Sequence, residues 1–111
     1  MRALAALLAV AALGGGSPSR AQVVEREYTL TLSRLHLKAG PAIFEVDNLG
    51  QDPHDLRVQR IGARHIAGTP VVAPGKRAEL SLKLAPGRYS VWCSVADHRK
   101  RGMRAVLVVT R

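Results

Sequence analysis

One cysteine, one tryptophan, one phenylalanine and two tyrosines are all that 111 residues hold of those types. A lone cysteine, Cys93, cannot close an internal bridge, so a disulfide-stapled scaffold is excluded. The aromatics Tyr28, Phe44, Tyr89 and Trp92 are too few and too scattered for a base-stacking platform, which counts against nucleic acid as a partner. Acidic residues are scarce, 8 against 17 Lys+Arg, and that balance suits an acidic protein partner. The longest apolar run, Ala3 to Leu13, falls short of the roughly 20 residues that cross a bilayer, so no stable membrane insertion is expected. No sustained helical period is present in the rest of the chain.

The first 21 residues read as a secretory signal. Arg2 supplies a positive start, Ala3 to Leu13 the apolar stretch, and Gly14 to Arg20 a small polar stretch. Ser19-Arg20-Ala21 then sets small residues at the two positions a signal peptidase reads. Residues 1–21 are therefore expected to leave before Gln22, with residues 22–111 as one domain. No cysteine lies there for lipid attachment, and no paired arginine precedes the apolar run, so the general secretion route is expected. The destination is the periplasm or the extracellular side of a bacterial membrane. Losing Arg2 and Arg20 takes Lys+Arg from 17 to 15 and the net charge from +9 to +7. Residues 22–111 suffice for one small core, and a monomer is expected.

Short alternating segments separated by Gly/Pro turns fill that domain. From Glu25 to Leu37, Tyr28, Leu30 and Leu32 share one face while Thr29, Thr31 and Ser33 share the other. Lys38-Ala39-Gly40-Pro41 reads as a turn. Ala42 to Asn48 reads as a strand with Phe44 and Val46 inward, and His54 to Gln59 as another after a loop. Arg60 to Pro70 has no clean period and is expected to be irregular, with one helical turn. Strands at Ala78 to Leu84, Arg88 to Ser94 and Arg104 to Thr110 follow, with turns at Ala73 to Lys76 and Ala85 to Gly87. The expected fold is all-β, a Greek-key β-sandwich of about seven strands.

Chemistry concentrates between the last two strands. Cys93 is followed five residues later by His98, and Met103 lies five beyond that. An unpaired cysteine in an oxidising compartment is a liability unless something occupies its sulfur, and a metal ion does so. Thiolate, imidazole and thioether, completed by a second imidazole at His54, make the ligand set of a mononuclear blue-copper site with methionine as the long axial donor. His36 and His65 are read as surface or structural residues.

These residues resemble a cupredoxin of the plastocyanin/azurin kind, over roughly Tyr28 to Val109. Beyond the Cys93, His98 and Met103 spacing, the likeness rests on Asn48 and Gly50 ahead of His54, the Pro74-Gly75 turn, Pro86-Gly87 before Tyr89, and Gly102 before Met103. Ala96-Asp97 departs from the Pro-Gly common before the second histidine. The resemblance implies one type 1 copper ion held by His54, Cys93, His98 and Met103, and one-electron transfer between redox partners rather than catalysis. It also implies that Asn48 bonds the backbone beside Cys93 and that Ser94 supports the site. His98 would present its ring edge through an apolar patch that includes Ala96, Leu49 and Pro53. Arg99, Lys100, Arg101 and Arg104 form a basic rim for an acidic partner, and Trp92 marks a second docking area. Copper delivery without dedicated electron transfer is the competing role; a multicopper enzyme would need further paired histidines.

Overall fold

A computed structural model describes residues 16–111. The apolar segment assigned to the signal lies outside the described residues. Nine strands follow: β1 (Ser19–Arg26), β2 (Thr29–Leu32), β3 (His36–Lys38), β4 (Gly40–Asn48), β5 (Arg57–Arg60), β6 (Ala67–Gly68), β7 (Arg77–Leu84), β8 (Gly87–Trp92) and β9 (Arg104–Thr110). They form a sheet in the order β2-β1-β4-β7 and another in the order β3-β9-β8-β5-β6. Both sheets are mixed, because β1 runs parallel to β4 and β3 parallel to β9.

Period-2 alternation decides which side chains meet between the sheets. Along β4, Ala42, Phe44 and Val46 are buried, and their inward partners on β1 are Ala21 and Val23. The second sheet contributes Leu37, Val58, Tyr89, Val91, Leu107 and Val109 to the same cluster. Full burial of such a side chain is worth about 1.5–3 kcal/mol, so this cluster is the main source of cohesion. The inward placement of Phe44 and Val46 agrees with the sequence reading.

Three expectations are corrected. The segment read as one strand from Glu25 to Leu37 is broken twice. β1 and β2 form a tight hairpin with Arg26 opposite Thr29, so Glu27 and Tyr28 are its two-residue tip. The chain then crosses to the other sheet as β3. The buried positions switch from odd numbers in β1 (Ala21, Val23, Glu25) to even numbers in β2 (Leu30, Leu32). The switch falls on the charged Glu25, so the alternation read from Tyr28 onward does not show it. Second, β4 begins at Gly40 and runs through Pro41, and β5 begins only at Arg57; His54 makes an isolated bridge to Val72 instead. Third, no helical turn lies between Arg60 and Pro70; the chain turns at Ile61-Gly62 and pairs β6 with β5.

One inward position breaks the apolar rule. Glu25 follows Ala21 and Val23 on the core face of β1, is 0% exposed, and neither carboxylate oxygen has a hydrogen-bond partner among the described residues. Burial, and then the nearby Asp55, push its pKa up to about 8, since an unpartnered charge is costly in a core. The folded protein therefore holds a proton there that the unfolded chain releases above pH 4.5. Stability from this group is complete below pH 4.5 and is lost as pH rises through about 8, at up to about 1.4 kcal/mol per pH unit. Denaturant midpoints of the metal-free protein should fall across that window, and Glu25→Gln should flatten the fall. Equal slopes in the two proteins would contradict this account.

Candidate metal centre

Backbone hydrogen bonds fix each donor before any ion is considered. His54 exchanges both backbone bonds with Val72, N–H to O at 3.1 Å and the return at 2.6 Å. Asn48, buried at the end of β4, secures the preceding loop. Its Nδ2 donates to the carbonyls of Asp52 (2.8 Å) and Val72 (2.9 Å), and its Oδ1 accepts from the Gly50 N–H. Across the sandwich, Cys93 follows β8 directly. Its N–H donates to the Met103 carbonyl (3.1 Å), the Met103 N–H to the His98 carbonyl (3.1 Å), and the His98 N–H to the Val95 carbonyl (3.0 Å). The loop is thus folded onto itself. Ala96 holds a left-handed φ of 47° and Gly102 a φ of 123°; glycine suits the second, whereas Ala96 carries a modest strain.

Three donor atoms converge at the centre. His54 Nδ1 and His98 Nδ1 are 3.1 Å apart, and each is 3.7 Å from Cys93 Sγ. A point equidistant from all three lies about 2.0 Å from each, the length of a metal–nitrogen bond. His54 and Cys93 are fully buried, His98 is 4% exposed, and Met103 is fully buried in the surrounding core. The far nitrogens are engaged elsewhere. His54 Nε2 meets Glu27 Oε1 at 3.1 Å, and His98 Nε2 lies 3.4 Å from Asp52 Oδ2. With the ring protons on Nε2, facing carboxylates, both Nδ1 atoms present lone pairs to each other. One thiol proton cannot satisfy both. The cluster is short of positive charge, and a soft or borderline cation fits it.

Electrostatics at the site follow from burial. Desolvation lowers the His54 pKa, against a raising effect of Glu27, so the imidazole is kept neutral as a ligand must be. Burial pushes the Cys93 thiol up to about 11, although the backbone N–H groups of Asp55 and Val95 pull the other way. The Asp55 N–H reaches Cys93 Sγ at 3.5 Å. Asp55 is itself held by Ser94, whose N–H and Oγ donate to its two oxygens at 2.6 and 2.5 Å, and by Arg57 Nη2 at 3.2 Å. Glu27 is lowered to about 2, first by the N–H of Asp52, and is ionised at working pH.

The structure brings His54, Cys93, His98 and Met103 together, arranged as a type 1 copper site. Ser94 acts through Asp55. Asn48 ties the loop to Val72, not to the backbone beside Cys93 as expected. His98 is 4% exposed, with Tyr28 packed edge-on at 5.3 Å between ring centroids and Asp52 facing its nitrogen, while Leu49, Pro53 and Ala96, expected around its ring, are exposed. Trp92 is buried beneath the Arg99 guanidinium, 4.1 Å from its ring, and Arg101 is paired with Asp97 and lies over Tyr28. His36 is exposed and bonds Thr110. Glu27, Tyr28, Asp52 and Asp55 were missed, because contacts across the hairpin tip leave no local pattern. Asp52 and Asp55 flank Pro53-His54, the one signal that could have marked them.

Because the Cys93 thiol is protonated at neutral pH, metal uptake must displace its proton. At pH 7 about one proton should be released per ion bound, and affinity should rise about tenfold per pH unit toward pH 11. Titration calorimetry in two buffers of different protonation enthalpy measures this. Uptake without proton release would show that the thiol is not a ligand.

The cupredoxin-like domain model matches residues 2–109. No curated protein matches the chain by sequence. Among solved structures, reduced auracyanin from Roseiflexus castenholzii is similar with a TM-score of 0.68 and 17% identity, over 87% of this chain and 100% of its own. A purple cupredoxin from Nitrosopumilus maritimus is similar with a TM-score of 0.59 and 21% identity, over 80% of this chain and 98% of its own. A multicopper oxidase matches with a TM-score of 0.66 and 12% identity, over 86% of this chain but 45% of its own. At these identities the likenesses speak to the fold. With the family match over nearly the whole chain, and a sandwich that gathers two histidines, a cysteine and a methionine, this protein belongs to the cupredoxins.

Proposed function

We propose that this protein is an exported, monomeric, non-catalytic blue-copper carrier that passes one electron at a time between redox partners. The observation that carries the reading is the closed triangle of His54, Cys93 and His98 donors inside a backbone framework that is already cross-linked. Copper bound there supplies the Cu(II)/Cu(I) couple, and a fixed donor set suits both states with little rearrangement. The chain's part is rigidity and dryness. Val72 and Asn48 hold His54, the Cys93–Met103 and Met103–His98 backbone bonds hold the loop, and the Asp55 N–H tunes the sulfur.

Burial favours electron transfer over copper delivery. Handing an ion to another protein by ligand exchange requires an incoming donor to reach it, yet none of the four ligand residues is more than 4% exposed. An electron can leave a buried site where an ion cannot. For the partner, we propose an acidic redox protein attracted to the face bearing Arg99, Lys100, Arg101 and Arg104. Arg101 is partly neutralised by Asp97, and Arg99 covers Trp92, so a partner near Trp92 would meet guanidinium first. For export, we propose a secretory leader within residues 1–21. β1 begins at Ser19 and pairs Ser19, Arg20 and Ala21 with Ala42, Ile43 and Phe44, so cleavage before Gln22 would remove three pairs from the strand.

Cu(II)-loaded protein should show an intense visible thiolate-to-copper absorption, and Cys93→Ala should abolish it together with most copper affinity. Met103→Leu should retain copper and raise the potential, since a sulfur donor is lost. Bound Cu(II) without the band would reject the blue-copper reading. Replacing Arg99, Lys100 and Arg101 by Gln should slow oxidation or reduction by an anionic reagent such as ferricyanide at low salt. An unchanged rate would make the rim a solvated face only.

A further inference from the structure

The β1–β2 hairpin tip belongs to neither ligand segment, yet its two residues meet both ligand imidazoles. Glu27 touches His54 and Tyr28 packs on His98. We propose that Glu27 is a positioning residue for the copper centre: it holds His54 in the Nε2–H tautomer and aims the Nδ1 lone pair at the ion. The inference rests on the copper reading of the site and deepens it.

The seat of the Glu27 carboxylate is built from three directions. Its Oε1 accepts from the N–H groups of Gln51 (2.8 Å) and Asp52 (2.5 Å) as well as facing His54 Nε2 at 3.1 Å. A Cβ on Gly50 would come within 2.6 Å of the same oxygen. Gly50 has no left-handed φ, so what a side chain there would disturb is the seated carboxylate, which would have to move aside. An ionised carboxylate only accepts hydrogen bonds, so the ring proton facing it sits on Nε2 and Nδ1 is left bare. A carboxylate behind a ligand imidazole also makes the ring a stronger donor. That favours Cu(II) over Cu(I) and lowers the potential. Asp52 makes a looser contact with His98, at 3.4 Å, from a side chain that is 45% exposed. Its influence is correspondingly smaller.

Two substitutions separate positioning from simple loop support. Glu27→Gln keeps an oxygen for the Gln51 and Asp52 N–H groups but removes the charge behind His54. Gly50→Ala keeps the charge but drives it from its seat. In the metal-free full chain, nitrogen-15 NMR of the His54 ring should show a protonated Nε2 and an unprotonated Nδ1. Gly50→Ala should mix the tautomers, whereas Glu27→Gln, whose amide oxygen still accepts from Nε2–H, should keep them. In the copper-loaded protein, both variants should raise the potential and weaken Cu(II) binding by about 10–100-fold, while Asp52→Asn shifts either quantity less. A wild-type ring protonated on Nδ1 overturns the proposal. So does a Glu27→Gln protein that loses thermal stability while its potential and affinity stay unchanged, because Glu27 would then be a loop staple only. If copper does not give the blue-copper spectrum at all, the function reading fails, while the metal-free tautomer result still tests Glu27.

Discussion

Two imidazole nitrogens facing each other at 3.1 Å in a dry interior are mutually repulsive unless something positive lies between them and the sulfur. That shortage of cation is the constraint the fold is arranged to sustain. A flexible protein would relieve it by turning one ring away. Here His54 is locked through Val72 and Asn48, and His98 through the loop bonds that join Val95, Met103 and Cys93. The hydrophobic cluster beneath supplies the cohesion that keeps both segments in register. The donors are therefore organised before the ion arrives, and binding energy is not spent on ordering them.

Such a site needs its polar surroundings managed as closely as its ligands. Glu27, Asp52 and Asp55 each face a ligand through a ring N–H or through a backbone donor. Two of them are balanced locally, Asp55 by Arg57 and Ser94, and Glu27 by backbone N–H groups. Glu25 is different. It lies on the same end of β1 as the hairpin tip but has no donor, so burial resolves its charge by keeping the proton. One end of the sandwich thus holds carboxyl groups in opposite states. Donors decide which state: the seated group is ionised and the orphaned one is neutral.

The metal ligands were legible in the sequence because their chemistry is distinctive and their spacing local. Cys93, His98 and Met103 fall on one connection, and His54 follows a loop opened by Asn48 and Gly50. β7, β8, β9 and most of β4 were legible for a similar reason, an alternation next to Gly/Pro turns, although Gly40-Pro41, read as a turn, lies inside β4. The β1–β2 reversal was not, since the buried parity changes at a charged residue, Glu25, and no Gly or Pro marks the tip. The carboxylates around the site were hidden with it. Glu27 is 27 residues from His54, and nothing in a one-dimensional pattern distinguishes it from Glu45 or Glu79. The role of Gly50 could be read as a family trait, but its cause, the space a carboxylate occupies, is visible only in three dimensions.

His98 is 4% exposed, and the hairpin tip and the loop before His54 both close on its ring. An exposed imidazole edge would let a partner approach the ligand directly. Tyr28 and Asp52 stand in the way, and Arg101 lies 4.8 Å above the Tyr28 ring. The hairpin tip that covers His98 also carries Glu27, which meets His54. Displacing this tip would act on both ligand histidines at once, and displacing Lys100 or Arg104, within and beside the His98–Met103 segment, would act on the ligand loop. Arg99 lies over Trp92, on the central strand of its sheet and next to Cys93, and Arg101 lies over Tyr28 beside the covered histidine, so both cations are tied to rings that adjoin ligand residues.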